Sequence, residues 1–362
     1  MAVPKKSIIQ ENAERILATE PAAPVRVRLL RDVLAVPPED VELTRARADL
    51  ASSHWVAILA AEQRADGSWG RFHSANTRQK QRYPTTEVAV RRAVALGLTV
   101  EHALLRRASR YLRRFLVGDI PFPDPAEHND RWATGTELFA ASTLALIEPR
   151  APILAPIRAR WAQVVARAFG EAHNLDAERE AHRVLHGITS DLRYLALFDR
   201  YQLILLGSDP TALPGTVVHA ALDWLWRRPE GIGYIGASLE TSNPSTQRLD
   251  GWLHSHELLA AFGAPWQERA SALLNWLWAQ RDEDRLWDLG PRHTTSVSHC
   301  LPLSDHWRVR ANRRADWSTR VLALLARASR ANNREYRDQV ALPHPGLPPT
   351  DTQERETRGT VP

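Results

Sequence analysis

The 362-residue sequence predicts an all-α protein built from repeated pairs of helices, and three observations predict it. Apolar residues recur at helical spacing, as at Val88, Val90, Val94 and Leu98, while period-2 alternation is scarce. Aliphatic and tryptophan-bearing segments return at a nearly fixed interval. With Leu59, Leu112, Val165, Trp224 and Trp276 taken as equivalent, the steps are 53, 53, 59 and 52 residues. Each such segment ends in a loop carrying glycine or acidic residues, and a second helical pattern with a fuller apolar face lies before the next. A period of this length marks stacked units that cannot bury their own faces alone.

Residues 1–50 read as short helices broken by Pro21, Pro24 and the Pro37–Pro38 pair, with an apolar face in VRVRLLRDVL that packs on the repeat region. Within 51–330 the first members of the pairs are HWVAILAAEQ, YLRRFLVGD, ARWAQVVARAFG, ALDWLWRRPEG and LLNWLWAQRDE. The second, more apolar members fall at 85–98, 131–147, 190–207, 253–263 and 316–328. With the N-terminal pair the chain holds about six pairs, which either close as an inner and an outer ring, an α/α toroid, or stack as an open helical-repeat solenoid. Residues 331–362 are polar, proline-rich and without apolar periodicity, and read as a disordered tail.

Composition narrows the class. Cys300 is the only cysteine, which rules out an intramolecular disulfide and a cysteine-built metal cluster. MAVPKKSIIQENAER has no apolar run of the kind a secretory signal carries, so a reducing cytoplasm is the expected location. No stretch approaches the roughly 20 apolar residues of a membrane-spanning helix. The net charge of +5 comes from 47 basic residues, of which only Lys5, Lys6 and Lys80 are lysines. The arginines are interleaved with 42 acids and form no dense basic run, so nucleic acid is not an expected partner.

The segment Trp55 to Gly70, WVAILAAEQRADGSWG, carries a more specific signal. Gln63, Gly67 and Trp69 after an aliphatic helix resemble the QW motif of squalene and oxidosqualene cyclases. TTEVAVRRAVALGL is similar to the inner helix that comes after the motif in those proteins. A degraded copy lies at Gln280 and Trp287, and a third at Gly231, Gly233 and Tyr234, with Arg228 where glutamine would stand. The resemblance spans residues 51–330 and implies the α/α toroid of terpenoid cyclases and protein prenyltransferase β subunits. In such a motif glutamine bonds backbone at a neighbouring helix end, glycine makes a left-handed turn, and tryptophan ties adjacent repeats.

The family's chemistry does not carry over. No inner-helix start has the DxDD cluster that protonates an alkene in squalene-hopene cyclases; Asp282-Glu283-Asp284 lies in a loop after an outer helix. The prenyltransferase zinc set of aspartate, cysteine two residues on and distant histidine fails at position 298, which is serine; His299, Asp305 and His306 near Cys300 are the residues that could form a different site. His182 and His186, four apart with Glu178 a turn earlier, share a helix face that reads as a polar outer surface, with a metal clasp by the three as the alternative. No phosphate loop, nucleophile elbow or DDxxD is present, and neither a metal nor a cofactor is expected.

The remaining candidates are positional. Asp305, Asp316, His254 and His256 are the catalytic candidates, at or beside the starts of the last two inner helices. Glu87, His128, Trp132, Asp250, His254, Trp307 and Arg308 are the candidate ligand contacts, and Asp305, Trp307, Arg308 and Asp316 are expected together at the mouth or wall of the cavity. Capping and inter-helix bonding is the alternative for the histidine pair, and an ion-paired closure seam for the 301–317 segment. These features fit a protein that binds or acts on an apolar or isoprenoid-like small molecule in a central cavity. A non-catalytic ring binding a peptide or protein partner is the alternative.

Overall fold

The computed structural model describes residues 6–76, 78–240, 244, 248–290 and 299–340, with 331–340 as helix backbone. The part of the predicted tail from 341 onward lies outside the described residues. The described chain is all-helical, with two isolated β-bridges and no strand. No described helix is long and apolar enough to cross a membrane.

Six helices surround one cavity. They are α2 (Ala23–Arg28) with its π-helical continuation Leu29–Leu34, α5 (Thr86–Leu96), α7 (Trp132–Ile147), α10 (Arg200–Gly207), α12 (Leu249–Leu259) and α15 (Arg310–Val340). Each packs on the next: α2 on α5, α5 on α7, α7 on α10, α10 on α12, and the 3-10 turn Ala260–Phe262 after α12 on α15. From α15 the contacts return to α2 and its π-helical turn. The remaining helices flank this set. They are α1 (Lys6–Leu17), α3 (Val41–Ala51), α4 (His54–Glu62), α6 (Ala103–Leu116), α8 (Leu154–Ala168), α9 (Leu175–His186), α11 (Gly215–Trp226), α13 (Ala264–Arg269) and α14 (Ser271–Ala279).

Local chemistry sets the boundaries. Thr85 caps α5 by accepting from Val88 N, and Gly97, at a φ of 105°, ends it in the left-handed region where glycine is at ease. The helix expected over 190–207 begins only at Arg200. Asp199 and Gln202 form a reciprocal capping box there, which fixes the start, and 190–199 is mostly irregular chain with one 3-10 turn, Arg193–Leu195. The last helix instead outruns expectation at both ends, starting at Arg310 and continuing to Val340. Arginine, glutamate and glutamine propagate a helix once it is nucleated, so a polar stretch without a stop signal simply extends it.

The tryptophan motif has a repeated geometry. The Trp69 indole N–H donates to Leu59 O at 2.9 Å and its backbone N–H to Thr86 Oγ1 at 3.0 Å. The Trp287 indole donates to Leu277 O at 2.5 Å and its backbone N–H to Ser318 Oγ at 2.9 Å. Both rings are fully buried. Each tryptophan therefore ties the two helices of one pair, α4 to α5 and α14 to α15, where the sequence suggested a tie between repeats. Gln63 makes that inter-repeat link, donating to Gly67 O (3.0 Å) and Leu104 O (2.9 Å) and accepting from Arg107 Nε (2.8 Å). Arg228 takes a similar part in the third copy by donating to Leu197 O at 3.0 Å. Gly231 there sits at a φ of 67°, and a Cβ on it would lie 1.9 Å from Ala237 O.

Candidate functional site

The six surrounding helices all contribute to one cavity of about 600 Å³. Its wall takes Arg28, Arg31 and Asp32 from α2 and the π-helical turn, and Arg91 and Val94 from α5. Ala145 and Leu146 come from α7, Leu203 and Ile204 from α10, His254 and Glu257 from α12, and Arg320 and Leu324 from α15. All but α15 contribute from their middles to their C-terminal ends. Ala35, Pro149, Arg327 and Arg330 are the exposed members of the described wall and mark the mouth, while Leu203, Leu324 and Arg320 are buried deep.

Arginine dominates the polar part of the wall, and much of it closes helix ends. Arg28 donates to Ala95 O (2.8 Å), Arg31 to Gly97 O (3.0 Å), Arg327 to Glu257 O (3.0 Å) and Arg330 to Asp32 O (2.8 Å). These carbonyls lie at or next to the C-terminal ends of neighbouring helices, where a cation also meets the negative end of the dipole. Deeper in, Arg320 is clamped by Asp250 (2.5 Å) and Glu257 (2.7 Å). Arg91 and Arg200 share one oxygen of Glu87 at 3.5 and 3.6 Å. Burial and the neighbouring Arg200 charge lower the Arg91 guanidinium to about 10.

Cys300 faces this wall with partners the sequence did not suggest. His254 Nδ1 lies 4.0 Å from Cys300 Sγ and 3.4 Å from Glu257 Oε2, and Sγ lies 3.9 Å from the same carboxylate oxygen. His254 and Glu257 sit three apart on α12, which puts both on one face. Burial opposes charge on His254, but hydrogen bonds to Cys300 and Glu257 outweigh it and raise its pKa. Burial likewise raises Glu257, but Arg320 and His254 hold it well below the usual carboxylate range.

The donor atoms of the three residues lie within 4.8 Å of one another and form a nitrogen, oxygen and sulfur set of the kind zinc takes. Arg320, however, holds both Glu257 oxygens, at 2.7 and 2.9 Å, so a cation would have to share the carboxylate with a guanidinium. The three side chains form a compact Cys–His–Glu cluster within hydrogen-bonding reach of one another. His299, Asp305 and His306 take no part in it.

Of the other predicted residues, Glu87 and Asp250 lie directly behind the wall, each paired with an arginine that lines it. Burial alone would raise Glu87, but a hydrogen bond from His73 and the charges of Arg91 and Arg200 hold it below its ordinary value. Tyr201 donates to it at 2.7 Å. The expected cluster of Asp305, Trp307, Arg308 and Asp316 does not form. Asp305 and Arg308 are exposed in a surface turn, and Trp307 packs on Trp317 at 6.2 Å. Asp316 is buried beneath that segment, accepting from Leu303 N (2.6 Å), Ser304 N (2.9 Å) and Ser304 Oγ (2.6 Å). The reason is the early start of α15, which puts Asp316 in the helix body where its carboxyl serves the loop amides.

His256 is fully buried among Trp226, Trp252 and Trp266, outside the cavity wall, accepting from the Trp266 indole at 3.4 Å. His128 is exposed in the loop before α7, and the half-buried Trp132 meets Phe122 edge-on. His182 and His186 lie 3.1 Å apart against Trp161. His182 is fully buried, so this face is not the polar surface expected, and Glu178 bonds His173 and Leu197 N instead of the pair.

Sequence reasoning missed Asp199. It caps α10 through Oδ1, which accepts from Tyr201 N (2.7 Å) and Gln202 N (3.1 Å), while Oδ2 is buried without a partner. It lines a smaller cavity of about 250 Å³ with Tyr194, Phe198 and Tyr234. Burial raises its carboxyl to about 7 against the pull of those backbone bonds. The spacing Asp199-x-x-Gln202 is the signal that would have found it.

Comparison of the chain with protein-family models, curated proteins and solved structures gives no match.

Proposed function

We propose that the chain is a terpenoid cyclase/prenyltransferase-like α/α toroid that holds an apolar, isoprenoid-like small molecule in the cavity between its inner helices. The observation that carries this reading is convergence: six helices from the whole length of the chain deliver side chains to one cavity of about 600 Å³. That volume falls within the usual range of small-molecule sites, which are mainly apolar with a few placed polar groups. Val94, Leu146, Leu203, Ile204, Leu258 and Leu324 supply the apolar wall, and the Cys300–His254–Glu257 cluster supplies polar groups on one side.

Native mass spectrometry of the purified full chain, followed by organic extraction, tests the reading. An apolar molecule should be recovered at up to one per chain, or else C15–C30 isoprenoid alcohols should raise the melting temperature by mass action. Replacing Ala145 with Trp, which fills the cavity from α7, should abolish either effect with the helical spectrum retained. The absence of both, no molecule recovered and no shift with any such alcohol, would sink the proposal.

A further inference from the structure

The smaller cavity, of about 250 Å³, shares no described lining residue with the larger one. Its rim is formed by Arg193, Ala196 and Tyr234, all exposed, and its floor by Phe198 and Asp199, both buried. Among the described residues Asp199 is the sole carboxylate of this wall. Its Oδ1 caps α10, and capping needs only that oxygen, since asparagine caps as well as aspartate. Oδ2 is buried without a hydrogen-bond partner. The arginines around it face other acids: Arg193 meets Asp191 at 3.0 Å, Arg200 meets Glu87 at 3.6 Å and Arg228 meets Glu230 at 2.9 Å. A carboxylate oxygen buried without a donor costs free energy, and such breaches of local rules gather at functional sites.

The backbone and the rings of the wall point the same way. Arg193 and Tyr234 stand at φ of 37° and 65°, in the left-handed region that non-glycine residues seldom occupy. Strain of this kind clusters at ligand clamps. Tyr194, Phe198 and Tyr234 bring three aromatic rings to the same wall as Asp199. Two of them already take a guanidinium over the ring, Arg131 over Tyr194 at 5.8 Å and Arg200 over Tyr234 at 5.7 Å. Neither of those arginines is among the described lining residues.

We infer that this cavity binds a small alkylammonium ion, its N–H groups donating to Asp199 Oδ2 and its alkyl body lying against Tyr194, Phe198 and Tyr234. Such an ion supplies both a donor for Oδ2 and a positive charge for the carboxylate, and a charge-assisted bond of this kind is among the stronger ones. Ring faces attract the cation and pack its apolar stem. A neutral alcohol brings the donor without the charge, and a quaternary ion brings the charge without the donor. The site stands whether or not the larger cavity holds an apolar ligand.

Ligand-observed NMR titration of the full chain with propylammonium, tetramethylammonium and 1-propanol, at constant ionic strength, tests this. A buffer at about pH 8 keeps the alkylamine protonated. Propylammonium should bind at least about tenfold tighter than either of the others. Asp199→Asn should weaken its binding about tenfold or more with the circular dichroism spectrum unchanged, and Tyr234→Leu, at the rim, about threefold. Equal binding of 1-propanol would show that charge takes no part, and equal binding of tetramethylammonium that Oδ2 accepts no hydrogen bond; either result overturns the inference. Full affinity in Asp199→Asn, or no binding of propylammonium by about 10 mM, overturns it as well. Should a variant misfold, the three-ligand comparison on the unaltered chain decides alone.

Discussion

Replacing Asp199 with asparagine should stabilise the protein, and increasingly so as pH rises. Asp199 Oδ1 already accepts from two backbone N–H groups, and an amide oxygen can do the same. The cost lies in Oδ2, buried without a partner, where burial lifts the carboxyl to about 7. An unfolded aspartate titrates near 3.9, so between the two values the folded state holds more proton than the unfolded one. Stability then falls as pH rises through that window; the penalty is absent at about pH 3 and complete by about pH 8. Between about pH 5 and pH 8 it amounts to roughly 2 units, or about 3 kcal/mol; the helix dipole favours the charged form and trims this to about 2 kcal/mol. Urea unfolding followed by circular dichroism at both pH values gives the difference between variant and parent. Fixed costs of the substitution cancel in the comparison across pH. The advantage of asparagine should grow by about 2 kcal/mol; an advantage that is flat or shrinks with pH refutes the burial argument.

His256 should show the opposite sign. Its pKa is lowered to about 3 by burial, so the unfolded chain takes up a proton that the folded chain refuses, and stability falls as pH drops below about 6.5. His256→Leu should reduce the stability lost between about pH 7 and pH 5 by roughly 2 kcal/mol, read by the same urea curves. Trp69→Phe keeps most of the buried ring but leaves Leu59 O without the indole donor, so thermal unfolding should show a loss of about 1–3 kcal/mol. Gly231→Ala should fail to give soluble protein or melt far lower, because its Cβ would lie 1.9 Å from a backbone oxygen. Gly118→Ala, also at positive φ but with nothing within 4 Å of the added Cβ, should cost only about 1–2 kcal/mol.

What the sequence made legible was local or periodic. The 52-to-59-residue steps fall on α4, α6, α8, α11 and α14, and Trp69 and Trp287 repeat the same two hydrogen bonds because their spacing from the outer helix is the same. The site was hardest to read where partners are distant in the chain. His254 stands 46 residues from Cys300, and no spacing rule joins a helix to a loop across an intervening helical pair. Asp305 and Arg308 looked like a site because they flank a helix start, and α15 moved that start by beginning at Arg310. The arginines look like compositional bias when counted. Their role shows only once Ala95 O, Gly97 O, Glu257 O and Asp32 O are seen to need donors.

The placement of protons decides one reaction the resemblance invites. Starting a polyene cyclisation needs a strong acid held protonated against the alkene. Among the described residues the carboxyls in the cavity wall are Asp32 and Glu257, and arginine partners hold both well below the usual carboxylate range, so both are spent as anions. Burial does raise Asp199 and Asp316, to about 7 and about 6, and neither is among the described wall residues of this cavity. His254 also faces the cavity, and its raised pKa makes its imidazolium a weaker acid still. Incubation with squalene or oxidosqualene, followed by gas chromatography, should therefore yield no polycyclic product at any pH where the protein is folded. A product that needs the folded chain and survives Asp199→Asn would show that a wall group donates the proton, and the charge assignment of the cavity would be wrong.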